Sequence, residues 1–283
     1  MAGTNRYDLP YEVTLPLGNL KAGTTYTVKV YAYTCWGRGS RSPLVYTFTT
    51  ASASGTLTPD IFSLSVSGST VKNAVNGETL QKYATATAGS SKLTFTGAGN
   101  YQYNLKDEFE YLYRSYTLET VFTLSELPAN GKTVVPVGTY ETGGFALRVI
   151  GNGSNSANLH FAMINSDRSV SEVSVSSAIK AGTTYHVTAT YDGANMKLYL
   201  NGTLVDTVAE TRVMILPNIY AFNLTIGSDA NWDRQYMETG LLENAYKRGT
   251  GELYMKGTVS VVNLYSRALT QSEVTSSYQA HKN

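Results

Sequence analysis

The sequence predicts an all-β protein, and three observations carry that prediction. Tyrosine occurs 22 times among 283 residues, in a chain rich in Thr, Ser, Gly and Val, a composition that suits a pleated, half-buried surface. Apolar and polar residues alternate in run after run, the period of a strand with one face turned inward. Turn residues separate these runs at regular intervals, as in sandwiches, jelly rolls and barrels. Helical patterns of Leu, Glu and Lys are scarce.

Length and charge bound the function. A chain of 283 residues holds one large β domain or two ordinary ones, and 42% apolar content fills a sizeable core. A formal net charge of +1 argues against a nucleic-acid groove or a membrane-surface patch. The single cysteine, Cys35, excludes an intrachain disulfide, and nothing around it signals an activated thiol. No run of about 18 apolar residues occurs, so no membrane insertion is expected. The opening MAGTNRYDLP has neither a signal peptide's apolar stretch nor an anchor. The expectation is a soluble piece of a longer exported protein.

The elements come in order along the chain. The hexapeptide KAGTTY occurs at Lys21–Tyr26 and again at Lys180–Tyr185. After the first copy, Tyr26, Val28, Val30 and Ala32 share one face of a predicted strand, with Thr27, Lys29, Tyr31 and Tyr33 on the other. YEVTLPLGNL before it is a further alternating run. CWGRGSRSP after it reads as a loop, and LVYTFTT as the next strand. The pattern L-x-x-G-T-x-Y-x-V-x-V-x-A, with a strand ending in TFTT, resembles the C-terminal half of a fibronectin type III domain, an immunoglobulin-like β unit. The resemblance implies a tyrosine corner at Leu20, Gly23 and Tyr26. It covers residues 5–50 only, where a whole domain of this kind needs roughly 100 residues. A half-sandwich exposes strand edges, so this unit, residues 1–50, is expected to dock on the domain C-terminal to it. Residues 51–59 read as a Ser/Thr/Gly-rich linker.

From residue 60 to 283 the predicted strands come steadily: IFSLSVSG, SKLTFTG, YTLETVFTLSE, KTVVPVGTY, GFALRVIG, ANLHFAMIN, SVSEVSVSS, TYHVTATYDG, MKLYLNGTLVDT, AFNLTIGSD and GTVSVVNLYSRAL. After the second KAGTTY, Tyr185, Val187, Ala189 and Tyr191 share one face, opposite His186, Thr188 and Thr190. Asp192-Gly193 makes a turn, and Asn201-Gly202 is a strong hairpin signal. Thr270 and Glu273 form a capping box, so a short helix begins there. The phrases FTGAGNYQY, YTLETVF, GTTYHVTATYDG, MKLYLNGTLV, LTIGSD and GTVSVVNLYSRALTQSEV, in this order, resemble the laminin-G-like, concanavalin A-like jelly roll of many secreted bacterial proteins. The expected fold class is therefore an all-β, concanavalin A-like jelly-roll sandwich with an N-terminal partial fibronectin type III unit.

Catalytic signals are sparse. His160, His186 and His281 are the only histidines and form no metal-ligand spacing; His186 reads as a hydrogen-bonded strand residue. Glycosidases of the concanavalin-like type carry alternating acids on one strand, which places carboxylates on one face. DEFEYL alternates Glu108 and Glu110 but lacks a third acid, and Glu119 stands alone. No catalytic residue is assigned, and the fragment is expected not to be an enzyme. The resemblance implies a structural calcium held by carboxylates and carbonyls, for which Asp229 and Asp233 are the candidates; the alternative is that both are solvated turn residues. The insertion 229–256 is long and mixes Trp232, Tyr236, Tyr246 and Tyr254 with polar groups. Aromatic faces stack on sugar CH surfaces, and Asn231, Asp233 and Arg234 suit hydroxyls, so this loop is the candidate carbohydrate site. The alternative is that these rings plug the sandwich, as Trp36 would at an interdomain wedge.

The expected function is a non-catalytic carbohydrate-binding or adhesive accessory module of an exported bacterial multidomain protein. Its partners are a glycan or polysaccharide and a catalytic domain in cis upstream of residue 1, with no nucleic acid. Its place is extracellular, periplasmic or the cell surface. The alternatives are a ligand-free scaffold of a secreted glycosidase or metallophosphoesterase, and an intact glycoside hydrolase.

Overall fold

The computed structural model describes residues 20, 23–31, 42–50, 57–105, 108–139, 143–215, 223–229 and 253–282. The chain divides into two compact units, Met1–Ala53 and Ser54–Asn283. Trp36, Cys35 and the YEVTLPLGNL run, save its last residue Leu20, lie outside the described residues.

In the first unit, β1 (Thr25–Val30) pairs antiparallel with β2 (Leu44–Thr49). One face is an aromatic ladder, Tyr26 stacking on Phe48 with ring centres 6.0 Å apart. The other is a threonine ladder: the hydroxyls of Thr25 and Thr49 lie 2.8 Å apart, those of Thr27 and Thr47 3.2 Å. Cross-strand pairs of this kind are the unit of sheet stability.

The second unit holds the remaining strands described: β3 (Phe62–Ser67), β4 (Thr70–Asn73), β5 (Gln81–Ala84), β6 (Thr87–Ala88), β7 (Leu93–Thr96), β8 (Gly99–Asn104), β9 (Tyr116–Leu124), β10 (Thr133–Gly138), β11 (Phe145–Gly151), β12 (Ala157–Ile164), β13 (Val170–Ile179), β14 (Thr184–Tyr191), β15 (Asn195–Leu200), β16 (Thr203–Ala209), β17 (Asn223–Ile226) and β18 (Lys256–Tyr265). One sheet runs β13-β12-β11-β10-β17-β8-β5. The other runs β16-β15-β14-β9-β18-β3-β4, with β7 also on β18 and β6 on β7. All eleven runs expected from alternation after residue 60 contain strands. β4, β5, β6 and β8 come in addition, from sequence with weaker alternation.

The sheets face each other across one apolar core. Tyr116 of β9 is fully buried in it, 5.1 Å from Phe145 of β11 and 6.2 Å from Phe161 of β12 by ring centres. The expected parity holds: Tyr185, Val187, Ala189, Tyr191, Met196 and Leu198 all point into this core. Asn201 and Gly202 take φ +50° and +78°, the left-handed pair that a two-residue hairpin needs to match strand twist. At one edge the sheets are tied together, the Ser174 N–H of β13 donating to Asp206 of β16 at 2.8 Å.

Two helices complete the described unit. α2 (Gln271–His281) begins with the expected capping box: Thr270 accepts from Glu273 N, and Glu273 accepts from Thr270 N. α1 (Phe109–Leu112) holds the DEFEYL acids Glu108 and Glu110 on a helical turn rather than on a strand. Phe109 and Leu112 are both fully buried, and a spacing of three places them on one side of a helical turn. Glu108 stands at the N-cap position without a side-chain cap bond and Glu110 faces solvent, so the two carboxylates do not share a strand face.

Candidate functional site

Two places gather polar chemistry. The first is the outer face of the β14-β9-β18 sheet, beneath α2. Glu119 on β9 stands opposite Thr188 of β14 and Asn263 of β18. His186 is its diagonal neighbour, close enough for cross-strand contact. His186 Nε2 lies 2.7 Å from Glu119 Oε1. Asn263 Nδ2 and the Tyr265 hydroxyl donate to Oε2 at 2.8 and 3.1 Å. From above, the Ser277 hydroxyl of α2 donates to Oε1.

Burial alone would raise the Glu119 carboxyl. The bonds from His186, Asn263 and Ser277 outweigh burial and hold it down to about 2. The carboxylate is therefore ionised, and the facing His186 nitrogen is the donor. The same burial, and the charge of Glu119, push the Tyr265 phenol well up. His281 Nδ1 lies 3.9 Å from Glu119 and bonds its own helix, donating to Ser277 O at 3.0 Å.

Among the described residues, Glu119, His186 and His281 are the group of three His, Cys, Asp or Glu side chains close enough to share a metal ion. The fit is poor. Both oxygens of Glu119 are already occupied by donors, and the second nitrogen of His186, buried, has no partner to orient it as metal-bound imidazoles require. Calcium wants six to eight oxygens, which two imidazoles and a saturated carboxylate do not supply. The cluster is a polar staple holding α2 on the sheet. His160 likewise joins a surface triad, with Glu172 between it and Arg148.

The second place is an open cleft of about 250 Å³ where the insertion 229–256 rejoins the sandwich. Its lining combines Glu126, Lys132, Tyr254 and Lys256 with the apolar Leu127, Pro128 and Val134. Glu126 and Lys256 pair at 2.7 Å. The walls come from three distant stretches tied by main-chain bonds: Gly97 N to Met255 O at 3.1 Å, Ser125 N to Lys256 O at 2.9 Å, and Val135 N to Leu253 O at 3.0 Å.

Of the residues singled out by sequence, Asn231, Trp232, Asp233, Arg234, Tyr236 and Tyr246 lie outside the described residues. Tyr254 lines the cleft. Asp229 is buried, 8% exposed, so it is not a solvated turn residue. Glu108 accepts from the Tyr103 hydroxyl at 2.8 Å, with the phenol pushed up to about 12, chiefly by burial. Leu20, Gly23 and Tyr26 are described, with Gly23 at φ +61°. Sequence reading missed the convergence of Asn263, Ser277 and His281 on Glu119. The signal was present: the capping box fixes where the helix starts, and Ser277 and His281 are four apart, on one helical face. It also missed Lys132 and Lys256.

Residues 97–275, well over half of the chain, match the family described as the Concanavalin A-like lectin/glucanases superfamily. The chain belongs to that superfamily. Solved structures similar to this concanavalin A-like chain include the receptor-binding domain of botulinum neurotoxin mosaic serotype C/D with tetraethylene glycol and sulfate bound (TM-score 0.59, 15% identity, covering 78% of this chain and 51% of that one). The binding domain of botulinum neurotoxin DC in complex with SialylT gives TM-score 0.59, 14% identity, and 78% and 51% coverage. The serotype D ligand-binding domain in complex with N-acetylneuraminic acid gives 0.57, 14%, and 78% and 52%. The chain thus spans about half the length of these structures, and at such identity the likeness concerns the fold alone. Comparison with curated proteins finds no match.

Proposed function

We propose that the chain is a non-catalytic carbohydrate-binding or adhesive module of an exported bacterial multidomain protein. The observation that carries this reading is the cleft at the foot of the insertion, which Tyr254 lines together with lysines, a carboxylate and apolar residues. A ring face for sugar CH groups, with polar groups placed around it, is the usual make-up of a small-ligand site. Structures of like fold in complex with SialylT and with N-acetylneuraminic acid support it as analogy. In this reading Trp232, Tyr236 and the polar residues Asn231, Asp233 and Arg234 extend the site from the insertion. The partner in cis is a secreted hydrolase domain upstream of residue 1, and the location is extracellular, periplasmic or the cell surface. Residues 1–50 are a partial fibronectin type III-like unit, and Asp229 and Asp233 are the candidate carboxylates for a structural calcium.

A scaffold with no ligand is the second reading. It is favoured by the Glu119 staple, whose ionisable groups serve packing rather than chemistry. Glycan-array screening followed by calorimetry separates the two. The proposed function expects binding that Tyr254→Ala and Trp232→Ala each weaken. A folded chain that retains no glycan supports the scaffold.

A further inference from the structure

Resting on the glycan-binding reading, we infer that the cleft takes a neutral sugar by two adjacent hydroxyls, held by Glu126 and Lys256 together. Lys256 Nζ and Glu126 Oε1 lie 2.7 Å apart, so the two charges answer each other and a ligand need bring none. A carboxylate has about four acceptor positions and an ammonium three donors; their mutual contact uses one of each. The Glu126 and Lys256 side chains are 60% and 46% exposed, within reach of a ligand in the cleft they line. The couple is therefore an acceptor and a donor side by side. Neighbouring ring hydroxyls set gauche, whether both equatorial or one axial, hold their oxygens about as far apart as the two ends of this couple. One hydroxyl donates to Glu126 while the next accepts from Lys256, in two parallel charge-assisted hydrogen bonds. Two axial neighbours, set anti, are spread too far. Leu127, Pro128 and Val134 in the same lining suit the CH groups of the ring.

The backbone sets the couple before any ligand arrives. Lys256 opens β18 opposite Thr96, and its carbonyl accepts from Ser125 N at 2.9 Å, which brings Glu126, the next residue, alongside. The lysine stem passes over Gly97, where an added Cβ would sit 2.7 Å from Cε and 3.1 Å from Cγ. A side chain at that position would push the stem aside. An exposed ion pair adds little to folding, but held in this way it loses little freedom when a ligand binds.

The test is calorimetric titration of the full chain with the methyl glycosides of glucose, galactose and mannose, and with the monodeoxy forms of the tightest binder. Between them the three sugars present adjacent hydroxyls in both gauche arrangements. Glu126→Gln and Lys256→Met are the variants, with thermal melting as the check on folding; should a variant not fold, the deoxy series decides. At least one glycoside is expected to bind, and loss of either hydroxyl of one adjacent pair should weaken it about tenfold or more, the worth of a hydrogen bond to a charged group. Loss of the other hydroxyls should cost less. Affinity should fall by a similar factor in each folded variant, where the hydroxyl that faced the lost group should no longer matter. Binding that no adjacent pair of hydroxyls governs, binding that either folded variant leaves intact, or binding on a glycan array but by none of the three glycosides overturns this inference and leaves glycan binding standing. No binding by these sugars or on the array overturns the proposed function as well.

Discussion

The two copies of KAGTTY begin alike and end differently. Gly23 and Gly182 take φ +61° and +74°, and each precedes a strand that starts two residues later. Beyond that turn the context diverges. Tyr185 is 6% exposed, within the core, and its hydroxyl accepts from Lys180 N at 2.9 Å. The opposite face of β14 is covered too, by α2 through Glu119 and His186. β1 has one strand partner among the described residues, and Tyr26 is half-buried. The hexapeptide encodes a turn and an aromatic-led strand; how deeply the strand is buried is decided by residues far away.

The sharpest way to break this comparison is to uncover the outer face of β14. Glu119→Ala strands four buried donors, and we expect a loss of about 3–5 kcal/mol in urea unfolding of the second unit. The pH dependence has a definite sign. The folded-state carboxyl sits below its unfolded value, so its contribution is complete above about pH 4.5 and disappears as pH falls toward 2. Glu119→Gln should flatten that part of the acid-unfolding curve.

Next in size is the inner face. Tyr185→Ala should cost about 3–4 kcal/mol, whereas Tyr26→Ala, losing a half-buried ring, should cost about 1 kcal/mol or less in its own unit. Hydrogen exchange at β14 and β1 amides measures the two separately. Equal losses would mean that the first copy is as deeply packed as the second. Thr270→Ala removes the cap that starts α2 and should cost about 1 kcal/mol, read as faster exchange of α2 amides. Smallest is the turn itself: Gly182→Ala should cost about 1 kcal/mol, because the added methyl meets no atom within 4 Å and only the strain of the left-handed backbone remains.

What was legible in the sequence was local. Alternation in TYHVTATY and MKLYL names the core faces correctly, because a strand's period needs no knowledge of its partners. The Thr270–Glu273 box locates α2 for the same reason. In DEFEYL the alternation of Glu108 and Glu110 carries no structural information, while the burial of Phe109 and Leu112 three apart goes with a turn of helix. Glu119, His186 and Asn263 sit on the polar side of their strands, and polarity alone does not distinguish a face bathed in water from one capped by a helix. The cleft is assembled from residues near 97, 126–134 and 253–256, stretches with no common motif, so only the fold unites them.

The two ends of the insertion meet. Gly227 O accepts from Met255 N at 2.9 Å, and Gly227 N is held by Pro136 O at 2.8 Å. The framework thus closes the circuit itself, through main-chain bonds among described residues. Doubling such a segment's length adds only about 0.6 kcal/mol of closure entropy. A change of length between residues 229 and 253 is therefore expected to cost the sandwich little stability.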